Sequence, residues 1–179
     1  FISRFSIIHG HFFYSKYGGF FPDARFITTL RDPVERTISN YFHLISIKDP
    51  KHANYQSIVE NNLDLVGFSE LPNVRSAQSR FVEGRDINDY DIVGMTEDMG
   101  ATVKLIRRVL ELDAVHPTLL GKLGIIPKTN VGHGRLLAQF KHGFVTPAIR
   151  KKIRQNVSPD MDTYERAKAR FKKLKRKYL

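Results

Sequence analysis

The chain has 179 residues, 41% hydrophobic and 26% charged, with no cysteine and a formal net charge of +11. That length suits one domain with a core of its own, and the composition excludes a disulfide framework, thiolate nucleophiles and Cys-based zinc or iron–sulfur sites. No apolar run reaches the ~20 residues of a membrane-spanning helix, and the basicity is local, because positions 150–179 hold twelve Lys+Arg against three Asp+Glu while the rest of the chain holds 17 against 15.

Ile2 to Phe13 predicts a strand and its exit, and Gly18-Gly19 with Pro22-Asp23 punctuates a loop. Phe26 to Leu30, apolar on both faces, predicts a central strand of a parallel sheet. A helix follows at once. Asp32 suits its N-cap, Pro33 its first position and Glu35 its third, an Asp-x-x-Glu variant of the capping box, and Val34, Ile38, Tyr41, Phe42 and Ile45 recur at helical spacing.

Tyr55 to Val66 and Glu70 to Val82 read as further helices, and Tyr90 to Met95 reads as a second strand. Thr96 is then expected to cap a helix through Leu112, with Glu97 and Asp98 in its first turn. Leu120 to His142 reads as a loop over the sheet, with a short helical interval at Leu136 to Phe140. Thr146-Pro147 and Ser158-Pro159 mark two more helix starts. The last is a basic amphipathic helix over 159–178, with Met161, Tyr164, Ala167, Phe171, Leu174 and Tyr178 on one stripe. Strands alternating with helices predict an α/β fold, a parallel sheet flanked by helices, in a single domain spanning 1–179.

The chemistry points to the Phe26–Ser39 segment. A strand that ends at Arg31 and turns into a helix at Asp32 is where α/β sheets bind anions, through free backbone N–H groups and the helix dipole. Arg31 offers a guanidinium fork at that edge, and Ser39, two turns beyond Asp32, offers a hydroxyl on the same face. The alternative is that Arg31 pairs with Asp32 or Glu35 and Ser39 merely packs. His9 and His11 flank Gly10, so on a strand both would point to one face. They read either as structural histidines or as a metal pair, and neither cysteine nor a nearby carboxylate cluster supports the metal. Gly132-His133-Gly134-Arg135 begins like a dinucleotide-binding motif but lacks the third glycine.

Arg31-Asp32-Pro33-Val34-Glu35-Arg36-Thr37-Ile38-Ser39-Asn40-Tyr41 resembles the 3′-phosphate-binding segment of the carbohydrate sulfotransferases, Arg-Asp-Pro-x-x-Arg-x-x-Ser-x-Tyr. The likeness is to the heparan-sulfate and uronosyl 2-O-sulfotransferase branch and its bacterial relatives. Gly10-His11, Val93-Gly94-Met95-Thr96-Glu97 and Tyr164-Glu165-Arg166-Ala167 resemble further segments of that family.

The resemblance implies a P-loop-NTPase-like sulfotransferase fold and transfer of a sulfuryl group from 3′-phosphoadenosine 5′-phosphosulfate (PAPS) to a hydroxyl of a carbohydrate, possible anionic glycans included, without a metal. It implies Arg31, Arg36 and Ser39 on the cofactor, Lys128 and Arg135 as second basic contacts in the 120–142 loop, and His11 as general base assisted by His9. Asn73, Gln78 and Arg80 fall in a stretch like another family region, with no role implied.

The family's Gly/Ser/Thr-rich 5′-phosphosulfate loop has no counterpart in the sequence, so the resemblance implies an additional segment before Phe1. It also implies a cytoplasmic location for a bacterial protein, or the Golgi lumen for a eukaryotic one. Two other readings compete: a non-catalytic polyanion binder using the basic helix, and a P-loop kinase. Nucleic acid is not the expected partner.

Overall fold

The computed structural model describes residues 10, 11, 13–21, 23–112 and 144–179. The predicted strand at Ile2–Phe13 falls largely outside them, as do His9, the 120–142 loop, Lys128 and Arg135. The architecture is α/β and mostly helical. Two short parallel strands, β1 (Ile27–Leu30) and β2 (Ile92–Met95), pair with Ile27 opposite Ile92 and Leu30 opposite Met95. Parallel neighbours need a crossover. Here it consists of α2 (Pro33–Ile47), α3 (Ala53–Glu60), α4 (Leu65–Glu70), α5 (Pro72–Arg75) and α6 (Ser79–Val82), after a single-turn α1 (Tyr14–Tyr17) that precedes β1. Beyond β2 come α7 (Met99–Val109), α8 (Pro147–Asn156) and α9 (Ser158–Tyr178). Among the described residues no helix is long and apolar enough to cross a membrane.

The two strands are covered unequally. All four residues of β2 are buried, whereas Ile27 and Thr29 of β1 are exposed. Both α7 and α9 pack on β2. Gly94 is what admits α7, because a Cβ there would stand 2.3 Å from the Thr102 methyl and 3.0 Å from the Thr29 hydroxyl. Among the described residues β1 pairs along one edge only, and β2 is the more enclosed of the two strands.

The α9 stripe behaves as its spacing predicts. Tyr164, Ala167, Phe171 and Leu174 are buried against β2 and Leu105, with Met161 and Tyr178 partly covered. A second cluster joins Val34 and Ile38 of α2 to Leu65, Ile153 and Val157, and a third packs Leu44, Ile58, Phe68 and Val74. In α2, Tyr41 belongs to this packing, since its hydroxyl donates to the Leu63 carbonyl at 3.2 Å and its ring sits 5.5 Å from that of Phe68.

Several boundaries differ from expectation for identifiable reasons. The helix read at Tyr55–Val66 breaks after Glu60. Asn62 takes a left-handed φ of 47°, and Asp64 then caps α4 by accepting from the Gly67 N–H at 2.8 Å. The helix read at Glu70–Val82 is two single turns, because Pro72 starts α5 afresh and Asp160 intercepts the amides that open α6. Thr96 is not a cap. It opens a 3₁₀ turn, and Asp98 caps α7 by accepting from Ala101 N–H. Thr146 caps α8 as expected, whereas Ser158 lies inside α9 and makes no cap bond.

Candidate anion-binding site at the end of the first strand

Strands β1 and β2 end in register, so Arg31 and Thr96 leave the sheet side by side and open a cleft of ≈310 Å³ lined by Arg31, Glu35, Thr96 and Glu97. Helix α2 starts at this rim. Asp32 caps it as the sequence predicts, its Oδ1 accepting from the amides of Val34 at 2.9 Å and Glu35 at 3.0 Å. The reciprocal half of the capping box is absent. The Asp32 N–H donates instead to Glu97 Oε1 at 2.7 Å, and Glu35 forms an ion pair with Arg150 of α8. A carboxylate from the second strand's turn therefore ties the two strand ends together.

These bonds correct one expectation. The backbone donors of the junction are not free for a ligand. The Arg31 N–H is taken by Gln78, the Asp32 N–H by Glu97, and those of Val34 and Glu35 by Asp32 itself. Any anion here meets side chains.

Those of the cleft are one arginine, Arg31, with Thr96 and two acids, Glu35 and Glu97. Arg31 does not pair with Asp32 or Glu35, because both acids are committed elsewhere, and among the described residues neither Arg31 nor Arg36 forms an ion pair. Arg36 is half-buried, and its pKa is lowered chiefly by burial and further by the Arg31 guanidinium, while the Asp160 carboxylate opposes both. The two guanidiniums thus lie within mutual electrostatic reach. Ser39 is one turn beyond Arg36 on the same face of α2, and its hydroxyl bonds no other described residue.

Gln78 and Asp160 support this arrangement, and sequence reasoning assigned neither a role. The Gln78 side-chain amide pairs with both backbone groups of Arg31, accepting from its N–H and donating to its C=O, each at 2.8 Å. The backbone N–H of Gln78 donates to both oxygens of Asp160, at 2.9 and 3.1 Å, and that of Ser79 donates to Asp160 Oδ1 at 2.7 Å. Asp160 is 1% exposed and Gln78 5%. The sequence singled out Gln78 without a role, and Asp160 carried no signal beyond an acidic residue in a helix's first turn.

Next to the junction, the Tyr164 phenol of α9 is pushed up to about 12, mainly by burial and then by the carboxylates of Glu97 and Asp32. His11 lies in an exposed bend, not on a strand, so the face-sharing argument for His9 and His11 does not describe it. Its ring stands 6.2 Å from Phe81 of α6, on which Phe13 stacks at 5.1 Å. Arg85 holds the following turn, with its guanidinium over Tyr14, Phe26 and Tyr90. Asn73 bonds Asn54, and Arg80 covers the Phe13 ring at 5.4 Å. Among the described residues no cluster of His, Cys, Asp or Glu could hold a metal ion. Comparison with protein-family models, with curated proteins and with solved structures gave no match to this chain.

Proposed function

We propose that the protein is a PAPS-dependent sulfotransferase that sulfates a carbohydrate hydroxyl, with Arg31, Arg36 and Ser39 holding the 3′-phosphate in a P-loop-NTPase-like sulfotransferase fold. The observation that carries the reading is the pair of guanidiniums that form no ion pair among the described residues, Arg31 at the end of β1 and Arg36 on the first turns of α2, with the Ser39 hydroxyl one turn further on. A dianionic phosphate monoester needs forked cationic donors, and arginine supplies them bidentately. The donor set fits that group. Of the two acids that share the cleft, Glu35 is paired with Arg150, while Glu97 accepts the Asp32 amide and keeps its charge, so the two guanidiniums have to outweigh it.

In the reaction, the bond between the sulfuryl sulfur and the 5′-phosphate oxygen breaks while the acceptor oxygen bonds to sulfur, and the acceptor's proton passes to a base. His11 is the proposed base, an exposed imidazole on the segment that packs against α6. Arg31 and Arg36 fix the nucleotide so that the transferring group is aligned, a contribution of positioning rather than covalent chemistry. Lys128 and Arg135 remain proposed partners of the same phosphate, and the residues that meet the 5′-phosphosulfate are outside the proposal.

Calorimetric titration with adenosine 3′,5′-bisphosphate and with ATP tests it. The bisphosphate is expected to bind and ATP not to compete. Arg31→Ala should weaken binding by roughly tenfold to a hundredfold, the worth of a charge-assisted contact, and Ser39→Ala by less. His11→Ala should leave that affinity in place while lowering sulfuryl transfer ~10²–10⁴-fold. Equal affinity for ATP, or an affinity untouched by Arg31→Ala, overturns the reading and favours another nucleotide enzyme or a polyanion binder on the basic helix α9.

A further inference from the structure

We infer that Gln78 and Asp160 are positioning residues of the anion site, setting through the backbone of Arg31 the place at which its guanidinium is presented. The inference deepens the reading of Arg31 as an anion ligand and rests on it. The geometry is that of a side chain substituting for a strand. In a hydrogen-bonded antiparallel pair one residue exchanges both an N–H and a C=O bond with its partner. Arg31 makes both of those bonds to a single primary amide, that of Gln78. Strand β1 has β2 as its pairing partner only through Leu30, so the residue that carries the cation lies one position past the ladder. Without Gln78, its peptide groups would be unpaired at a half-open strand end.

Gln78 is itself immobilised. Its own amide and that of Ser79 are gathered by the Asp160 carboxylate, which is buried in the first turn of α9 and anchored by a helix whose next turns form the main core. A carboxylate with three N–H contacts to two consecutive amides holds a chain bend rigidly. The path is short and continuous: α9 core, Asp160, Gln78, Arg31. The same carboxylate also bears on Arg36 electrostatically, opposing the loss of its proton that burial and Arg31 favour. One buried acid therefore supports both guanidiniums, one through hydrogen bonds and one through charge.

This makes opposite predictions from simple electrostatics. Asp160→Asn removes a negative charge near an anion site, which by Coulomb's law alone tightens anion binding. If Asp160 acts by holding Gln78, the same change weakens binding, because an asparagine presents one acceptor oxygen where the carboxylate presents two. Gln78→Leu, similar in bulk, deletes the clamp without altering charge.

The experiment measures adenosine 3′,5′-bisphosphate and inorganic phosphate affinity by calorimetry for the wild type, Asp160→Asn, Gln78→Leu, Arg31→Ala and the Gln78→Leu/Arg31→Ala double variant, with melting curves as a check on folding. Each of the first two variants is expected to weaken binding by about tenfold, the worth of one well-placed charge-assisted bond. Gln78→Leu should add almost nothing in the Arg31→Ala background, since a residue that acts through another loses its effect with it. Should Gln78→Leu fail to fold, Asp160→Asn alone decides by the sign of its effect.

Unchanged or tighter binding in Asp160→Asn, or an additive double variant, overturns the positioning role while leaving the Arg31 site intact. Binding of inorganic phosphate through Arg31 without preference for the bisphosphate retains the positioning role and overturns the nucleotide reading. No anion binding dependent on Arg31 overturns both.

Discussion

Two strand-to-helix junctions stand side by side in this protein, and they are built alike but charged differently. At the end of β2 the Thr102 hydroxyl donates to the Met95 carbonyl at 3.0 Å and accepts from the Met95 amide at 2.9 Å, as the Gln78 amide does at Arg31. Each following helix is capped by an aspartate, Asp98 for α7 and Asp32 for α2. The difference is in the ions. At the β2 junction the acid is balanced, because Asp98 pairs with Lys175 at 2.6 Å and its pKa is held below the usual carboxylate range by that bond and the Ala101 amide. At the β1 junction the capping acid accepts from backbone amides, and among the described residues neither Arg31 nor Arg36 forms an ion pair, Asp160 bearing on Arg36 through charge alone. The clamp is a structural device common to both, while arginines outside any ion pair among the described residues stand at one. The proposed ligand site at the β1 junction rests on that contrast.

The largest expected effect comes from removing the buried acid beneath the β1 junction. Asp160→Ala leaves the amides of Gln78 and Ser79 unpaired in the interior and strips Arg36 of its nearest opposing charge, so unfolding free energy should fall by ~3–5 kcal/mol. Urea denaturation reads it. A loss below ~1 kcal/mol would mean that water replaces the carboxylate and that the junction is not held from α9.

Next in size is an alkaline transition. Tyr164 lies against Glu97 and Asp32, the two acids that join the junctions, and burial with their charge pushes its phenol up to about 12 from an ordinary 10. A folded-state pKa above the unfolded one means that the native protein keeps a proton that the unfolded chain releases. The stability is therefore whole below pH 10 and declines as pH rises from 10 through about 12, by ~2–3 kcal/mol in total. Tyr164→Phe should flatten that decline, and phenolate absorbance with parallel denaturation checks it. A decline of equal steepness in the variant would shift the cause to Tyr90, whose phenol is likewise raised to about 12, first by burial.

The smallest effect sharpens the comparison most. Thr102→Val keeps the shape that packs on Gly94 and removes both bonds to Met95, so it should cost ~1–2 kcal/mol. Affinity for adenosine 3′,5′-bisphosphate should stay at the wild-type value. A matching loss of affinity would show the two clamps acting as one unit, and the assignment of ligand binding to the β1 junction alone would fail.

Much of this was readable along the chain. The Asp32 cap, Pro33 at the first helical position, the Val34–Ile38 core face and the α9 stripe from Tyr164 to Leu174 each depend on residues within two turns of one another, and local backbone chemistry decides them. Arg31 and Ser39 could be grouped for the same reason, since Ser39 follows the Asp32 cap by two helical turns, whereas Arg36 joined them only through the family resemblance.

What sequence could not supply were the choices among equivalent partners. Glu35 is a chemically sound capping-box residue, yet it serves Arg150, 115 positions away, and Glu97 takes its place at the Asp32 amide. Which acid meets which donor depends on the register that brings Leu30 opposite Met95 and on where α8 crosses α2. The helix read at 70–82 broke for a like reason, since Asp160 collects amides 82 residues upstream once α9 is docked. Local patterns determined where helices start and which faces are apolar, because those energies are summed over near neighbours. The tertiary structure decided which polar groups pair, because a hydrogen bond depends on ångström-scale proximity between segments that sequence spacing does not encode.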